Sequence, residues 1–355
     1  MTRLHAETPE HSGIGGSRGA PSPSPMQGGR ARRGVGLGGE RWITLALFVL
    51  AIVLILGSRV ISPAFGGWTQ TKAILTLAVF VIVVGYGQGL VILVGGLDLS
   101  VASVMTVGGV LAFRLIGLDT EALIWSLPLI LFTGALIGTA NGIGVTMLKV
   151  PPFIMTLAAG IIVYGGCLGF TQGTPRGLAS PALSALFTNE IAGVPLILLV
   201  MLVLVSLAAL VQSSTPFGRM LYAVGASPDA AWIAGLPVRA LTISTYAISG
   251  ACACLAGVLM IGYASGASLT MGQDYLLPSI AAVVIGGSSI LGGRGNYLGT
   301  VGGAILLTTL STIIAALGIA QGWRTVIYGI VILVALVLLR EQFYTWVDRS
   351  LRGRS

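Results

Sequence analysis

Residues 73–100 read AILTLAVFVIVVGYGQGLVILVGGLDLS. From Ala73 to Val94 this stretch carries no charge and no proline. At 1.5 Å per residue such a run crosses the roughly 30 Å hydrocarbon core of a bilayer as one helix. It stops at Gly95-Gly96, and a carboxylate, Asp98, follows at once. A membrane β-strand would be shorter and would alternate polar with apolar residues, which this run does not. The stretch is a spanning helix that ends in a turn.

The same pattern recurs along the chain. Only 8% of the 355 residues are charged and 55% are hydrophobic, more apolar surface than a soluble domain of this length can hide. Apolar runs predict ten spans, at 42–58, 73–95, 100–118, 122–147, 152–171, 194–212, 240–263, 277–291, 296–318 and 323–340. Those at 122–147 and 277–291 are the weakest, and the latter is short enough for a re-entrant or half-helix. The expected fold class is therefore all-α, a polytopic membrane protein.

Lys and Arg orient the array, because cytoplasmic loops retain them. With the N-terminus inside, every one of the 19 basic residues except Arg59, Lys72, Arg114, Arg176 and Arg324 falls on the cytoplasmic side. Both termini are expected there, as an even span count requires. The net charge of +8 follows from this bias and calls for no nucleic-acid partner. Residues 1–41 are rich in Gly, Pro, Ser and Arg and cannot bury a core, so they read as a disordered cytoplasmic tail. Beyond orienting the chain, Arg30, Arg32, Arg33 and Arg41 could touch anionic membrane lipid. No cleavage site follows the first apolar run, so a cleaved signal peptide is not expected. The membrane domain runs over 42–340, and 341–355 form a second cytoplasmic tail.

Several chemistries are disfavoured. The two histidines, His5 and His11, lie in the tail, so histidine catalysis within the membrane is out. Cys167, Cys252 and Cys254 sit in predicted spans without a histidine to complete a metal site, and read as small packing residues. No Walker motif occurs, so any ATP is bound by another polypeptide. An enzyme is not expected.

Small residues recur at four-residue steps: Gly134, Gly138 and Gly142; Ser249, Ala253 and Gly257; Gly295, Gly299 and Gly303. Each trio lies on one helix face and lets backbones approach closely, which is what holds helices together in lipid.

Three polar stretches interrupt this pattern. Gly95-Gly96-Leu97-Asp98-Leu99-Ser100 is expected at the cytoplasmic mouth between two spans. Asp98 or Ser100 can cap the following helix, or can stand at a gate or on a solute path. The loop 213–240, containing Arg219, carries Ser227 as N-cap, Pro228 at the first helical position and Asp229 at the positive helix end. Gly235 and Pro237 then stop the helix. Ala230, Ala231, Trp232, Ile233 and Ala234 give it a small apolar face suited to a partner's groove; an interfacial helix anchored by Trp232 is the alternative. The third stretch, Ile285 to Asn296, includes Gly286, Gly287, Gly292, Gly293 and Gly295 and permits irregular backbone inside the bundle. Gln88, Asn141, Thr156, Tyr164, Tyr246 and Tyr263 are the polar residues within the spans. They could bind solute hydroxyls or join helices by hydrogen bonds.

Taken together, Gly95 to Ser100, Pro152-Phe153-Ile154-Met155-Thr156-Leu157, the Ala223 to Val238 loop and Ala281 to Ser288 resemble bacterial sugar ABC-importer permeases of the ribose/xylose/galactose type. That type belongs to a superfamily that also holds branched-chain amino-acid permeases. Ala226-Ser227-Pro228-Asp229 departs from the Gly-Asn-Pro with Glu more often seen there, but keeps the helix-start chemistry. The resemblance covers about residues 43–340. It implies a vitamin-B12-importer-like (type II ABC importer) permease of ten spans, working as a pair with a second permease subunit. It also implies a cytosolic ATPase with two cassettes, which uses ATP and Mg and receives the 213–240 loop, and an extracytoplasmic sugar-binding protein. On this reading Gln88, Gly95, Gly96, Asp98, Ser100, Asn141, Thr156, Gly286 and Gly287 line the path or its gate. A nucleoside, autoinducer or branched-chain amino-acid permease, or a stand-alone facilitator, stays open as an alternative.

Overall fold

The computed structural model describes residues 37–60, 65–117, 119, 121–178, 180–320, 322, 323, 325–330 and 333. The chain forms α1 (Leu37–Gly57), α2 (Trp68–Leu93), α3 (Val101–Leu115), α4 (Ala122–Thr146), α5 (Pro152–Thr171) and α6 (Pro181–Thr188). A hairpin follows, β1 (Glu190–Ile191) and β2 (Val194–Pro195), then α7 (Leu196–Ser214), α8 (Pro216–Ala226) and α9 (Pro228–Ile233). Helices α10 (Val238–Ala264), α11 (Gln273–Ile285) and α12 (Tyr297–Ala316) come next, and a short 3-10 turn, Ser58–Val60, follows α1. The expected tenth span, 323–340, lies mostly outside the described residues, as do 341–355 and the expected N-terminal tail as far as Gly36.

Among the described residues, seven helices are long and apolar enough to cross a membrane. They are α1, α2, α4, α5, α7, α10 and α12. The protein is thus helical and multi-pass. The weakly signalled run at 122–147 is a full helix of 25 residues. By contrast, α3 and α11 have 15 and 13 residues, about 20 Å each, and fall short of a bilayer's width. Their shortness has one cause. Irregular residues 94–100 precede α3, and the irregular 286–296 chain follows α11. Each irregular link takes up length that a continuous helix would have used.

Helix α10 is the axis on which α4, α3 and α2 pack, and the glycine stripes set how closely. A Cβ at Gly142 of α4 would come within 2.7 Å of the Ile243 Cα. At Gly138 it would strike the Tyr246 carbonyl, and at Gly134 the Gly250 carbonyl. Gly257 of α10 meets the Met105 carbonyl and the Gly109 nitrogen of α3, while Gly87 of α2 packs 2.6 Å from the Ser249 Cα on the same measure. The Gly299–Gly303 face of α12 lies on Gly286 and Ala282. Lipid supplies no hydrophobic drive between helices, so these backbone approaches supply the van der Waals contact that replaces it.

Helices α5 and α7 are covered least. Phe153, Ile154, Leu157, Ile161 and Ile162 on α5, and Leu202, Val203, Leu207 and Leu210 on α7, are exposed, as lipid-facing or subunit-facing surfaces are. At the opposite end from α8 and α9, the β1–β2 hairpin turns through Ala192 and Gly193, both at positive φ, as a two-residue hairpin requires. Its Glu190 pairs with Lys72 at 2.6 Å. Beneath it Phe80, Phe187, Tyr263 and Tyr275 pack ring to ring, with centroids 5.7–6.1 Å apart. The predicted spans placed no element between residues 171 and 194.

Candidate functional site

The Gly95–Ser100 stretch turns back into the bundle. Gly95 takes φ +81, its nitrogen bonding the Ile92 carbonyl and that of Gly96 the Val91 carbonyl. Asp98 follows in irregular chain and is 1% exposed. The expected position at the cytoplasmic mouth is corrected: Asp98 meets Ser249, eleven residues into α10, about 16 Å along that helix.

The Asp98 carboxylate accepts three hydrogen bonds. The Ser100 amide and hydroxyl donate to Oδ1 at 3.0 and 2.6 Å, and the Ser249 hydroxyl donates to Oδ2 at 2.8 Å. Ser100 in turn accepts from Asn141 Nδ2 of α4 at 2.8 Å. Thr156 of α5 accepts from the Leu99 amide at 3.0 Å and is fully buried. One seven-residue link is thereby tied to α4, α5 and α10. Ser100, the N-cap residue of α3, makes no side-chain capping bond and spends its hydroxyl on Asp98. The one backbone amide that donates to Asp98 is that of Ser100, so the side-chain cap expected from either residue is not made.

Among the described residues no basic side chain pairs with Asp98, and donated hydrogen bonds alone satisfy its oxygens. An unpaired buried carboxylate without them costs several kcal/mol (about). Gln88 is fully buried on α2, and among the described residues neither of its amide atoms has a protein partner; the same holds for Asn141 Oδ1. Gly96 lies against the Tyr246 hydroxyl, which a Cβ would approach to 2.5 Å. In this conformation Gln88, Asp98, Ser100, Asn141 and Thr156 face protein, not water. Ser249, read from sequence only as a small packing residue, is the partner that was missed. Its hydroxyl, on the helix face turned toward the one carboxylate of the 95–100 stretch, was the available signal.

A second group of residues forms the surface of the 213–240 loop. Here the structure holds two helices where one was expected. Thr215 caps α8 by accepting from the Gly218 amide at 3.3 Å, with Pro216 at the first position. Ser227 caps α9 in the same way through the Ala230 amide at 3.3 Å, with Pro228 following. The Thr-Pro pair thus carried the same start signal as the Ser-Pro pair, and was overlooked. Gly235, at φ +82, ends α9 by donating to the Trp232 carbonyl.

Trp232 and Ile233 are 65% and 85% exposed, and Asp229, Ala230 and Ala234 are exposed beside them. Ala231 is a correction to the expected docking face. It is buried in a cluster with Leu90, Leu93, Leu221, Val224 and Leu241, and fastens α9 to the body. Arg219 lies on α8 and donates to the Ser214 carbonyl at 3.1 Å, closing the end of α7.

The glycine-rich 286–296 link lies between these two groups. Gly286 follows α11 and packs on Gly299, and Gly287 turns the chain at φ +91. Gly293 donates to the Leu93 carbonyl at 2.8 Å, and Tyr222 of α8 donates to the Gly295 carbonyl at 2.6 Å. Asp98 and Ser100 of the first link and Gly286, Ser288 and Gly295 of the second are buried by protein, the condition under which non-helical backbone is tolerated at membrane depth, while Gly95, Leu291 and Arg294 are exposed.

The chain is a multi-pass helical bundle with short helices and irregular links inside and a pair of capped helices at one end. Residues 70–336 match the family described as the branched-chain amino acid transport system / permease component. The chain belongs to that family. It is 31% identical over 294 residues to a ribose import permease of Haemophilus influenzae, covering 82% of this chain and 91% of the relative. A fructose import permease of Rhizobium meliloti is 34% identical over 317 residues, covering 83% of each. A galactofuranose transporter permease of Escherichia coli is 33% identical over 288 residues, covering 79% of this chain and 82% of the relative. No solved structure matches the chain.

Proposed function

We propose that this chain is the membrane-spanning permease subunit of an ATP-binding-cassette importer that carries a monosaccharide into the cytoplasm. The observation that carries the reading is the similarity, over 79–83% of this chain, to permeases named for ribose, fructose and galactofuranose import, at 31–34% identity. Those identities are too close to one another to select a pentose over a hexose. The bundle completes a ten-span, vitamin-B12-importer-like fold with both termini cytoplasmic, and works as a pair of permease subunits. An extracytoplasmic sugar-binding protein delivers solute to the hairpin end.

The exposed Trp232–Ile233 tip of α9, held on its other side by Ala231, docks into a cytosolic ATPase that binds ATP and Mg. Arg219, Ser227, Pro228, Asp229, Ala230, Ala234 and Gly235 shape that contact. Closure of the ATPase displaces the α8–α9 pair and, with it, the links at 94–100 and 286–296. The Asp98–Ser249–Ser100–Asn141 bonds act as a gate that must rearrange before Gln88, Thr156, Gly95, Gly96, Gly286 and Gly287 can border an open path. Weak solute contacts suit the design, because the permease must release what the binding protein selects.

Affinity purification of the tagged chain from its native membrane tests this reading. A two-cassette ATPase and a sugar-binding protein are expected to co-purify. Recovery of the chain alone, with solute flux that needs no ATP, would contradict it.

A further inference from the structure

Resting on the coupling role just proposed for the 213–240 loop, we propose that Tyr222 is the positioning residue that carries displacement of α8–α9 into both irregular links of the bundle. Three observations converge on it. Its hydroxyl donates to the Gly295 carbonyl at 2.6 Å and accepts from Gln212 Nε2 of α7 at 3.1 Å. Gly295 adjoins Asn296, whose side chain caps α12 by accepting from the Leu298 amide at 3.0 Å. The same link is bonded onward, because Gly293 donates to the Leu93 carbonyl at the end of α2.

The fit around α8 leaves little slack. A Cβ at Gly225 would strike the Leu93 carbonyl and stand 2.5 Å from the Gly293 nitrogen, and one at Gly218 would strike the Gln212 carbonyl. Helix α8 therefore cannot shift without moving either the end of α2 or the start of α12. Packing alone transmits a push, since contact resists compression. The Tyr222–Gly295 bond also transmits a pull, which the return stroke after nucleotide release requires. Leu93 lies five residues before Asp98, so one displacement at α8 reaches the gate link and the α12 cap together.

The test is Tyr222→Phe in the reconstituted importer, with ATP hydrolysis and labelled-sugar uptake measured on the same proteoliposomes. The phenylalanine keeps the ring and its contacts. Uptake per ATP is expected to fall about fivefold, the equivalent of about 1 kcal/mol, while ATPase binding and the melting temperature hold. An unchanged ratio, or a parallel loss of melting temperature, hydrolysis and uptake, would overturn the proposal. Gln212→Leu leaves the Tyr222–Gly295 bond in place and is expected to keep the ratio within about twofold; a loss as large as that of Y222F would also overturn it. Failure of the coupling role itself shows separately, in a wild-type importer whose uptake needs no ATP.

Discussion

The Ser249 hydroxyl donates to the Asp98 carboxylate at 2.8 Å, joining residues 151 positions apart in sequence. It ties the central helix α10 to the broken segment between α2 and α3. Interhelical hydrogen bonds in membranes average about 0.6 kcal/mol and reach about 1.7, and the burial of both Asp98 and Ser249 places this one toward the upper end. Ser249→Ala should lower stability by about 1–2 kcal/mol. Asp98→Ala should cost more, because the Ser100 and Ser249 donors then lose a shared acceptor. Denaturant unfolding in detergent measures both; equal stability of D98A and the wild type would show that the network is dispensable.

Glycine substitutions should sort by backbone contact. A side chain at Gly138 would drive into the Tyr246 carbonyl, whereas Gly165 has nothing within 4 Å of a built Cβ. Gly138→Leu is expected to prevent recovery of a monodisperse protein, and Gly165→Leu to leave the folded yield of the single chain unchanged. Size-exclusion profiles in detergent decide it. A well-behaved G138L protein would mean that α4 and α10 can part without loss.

The two faces of α9 should respond differently. Ile233→Glu alters an exposed tip, so ATPase recovery should fall by tenfold or more while the melting temperature holds, a loss equivalent to about 1.4 kcal/mol or greater. Ala231→Asp buries a charge among Leu90, Leu93, Leu221 and Leu241, which should lower the melting temperature itself. Identical behaviour of the two variants would contradict the assigned faces.

Much of this was legible in the sequence, for identifiable reasons. Long charge-free runs announce spanning helices because the bilayer demands length and apolarity. The Gly134–Gly142 stripe announced a close helix contact, and Ser227-Pro228 announced α9. What stayed hidden depends on distant partners. That α3 is short follows from a link that folds back into the bundle, which composition does not encode, whereas the brief run at 277–291 already signalled the short α11. The burial of Ala231 depends on Leu90 and Leu241, remote in sequence. Ser249 looked like one more small residue until Asp98 was placed opposite it. Helix α8 is a different case: its Thr215-Pro216 start was readable, but the run after it lacked the apolar length that marked the spans.

The central claim is that force from nucleotide hydrolysis in another subunit drives solute through this bundle. Uptake of labelled ribose, fructose and galactose into proteoliposomes tests it most directly, with the chain alone compared against the chain plus its co-purified ATPase and binding protein. Accumulation of one of these sugars against a gradient, only in the complete mixture and only with ATP, is the predicted result. Equal flux from the chain alone without ATP would contradict the account.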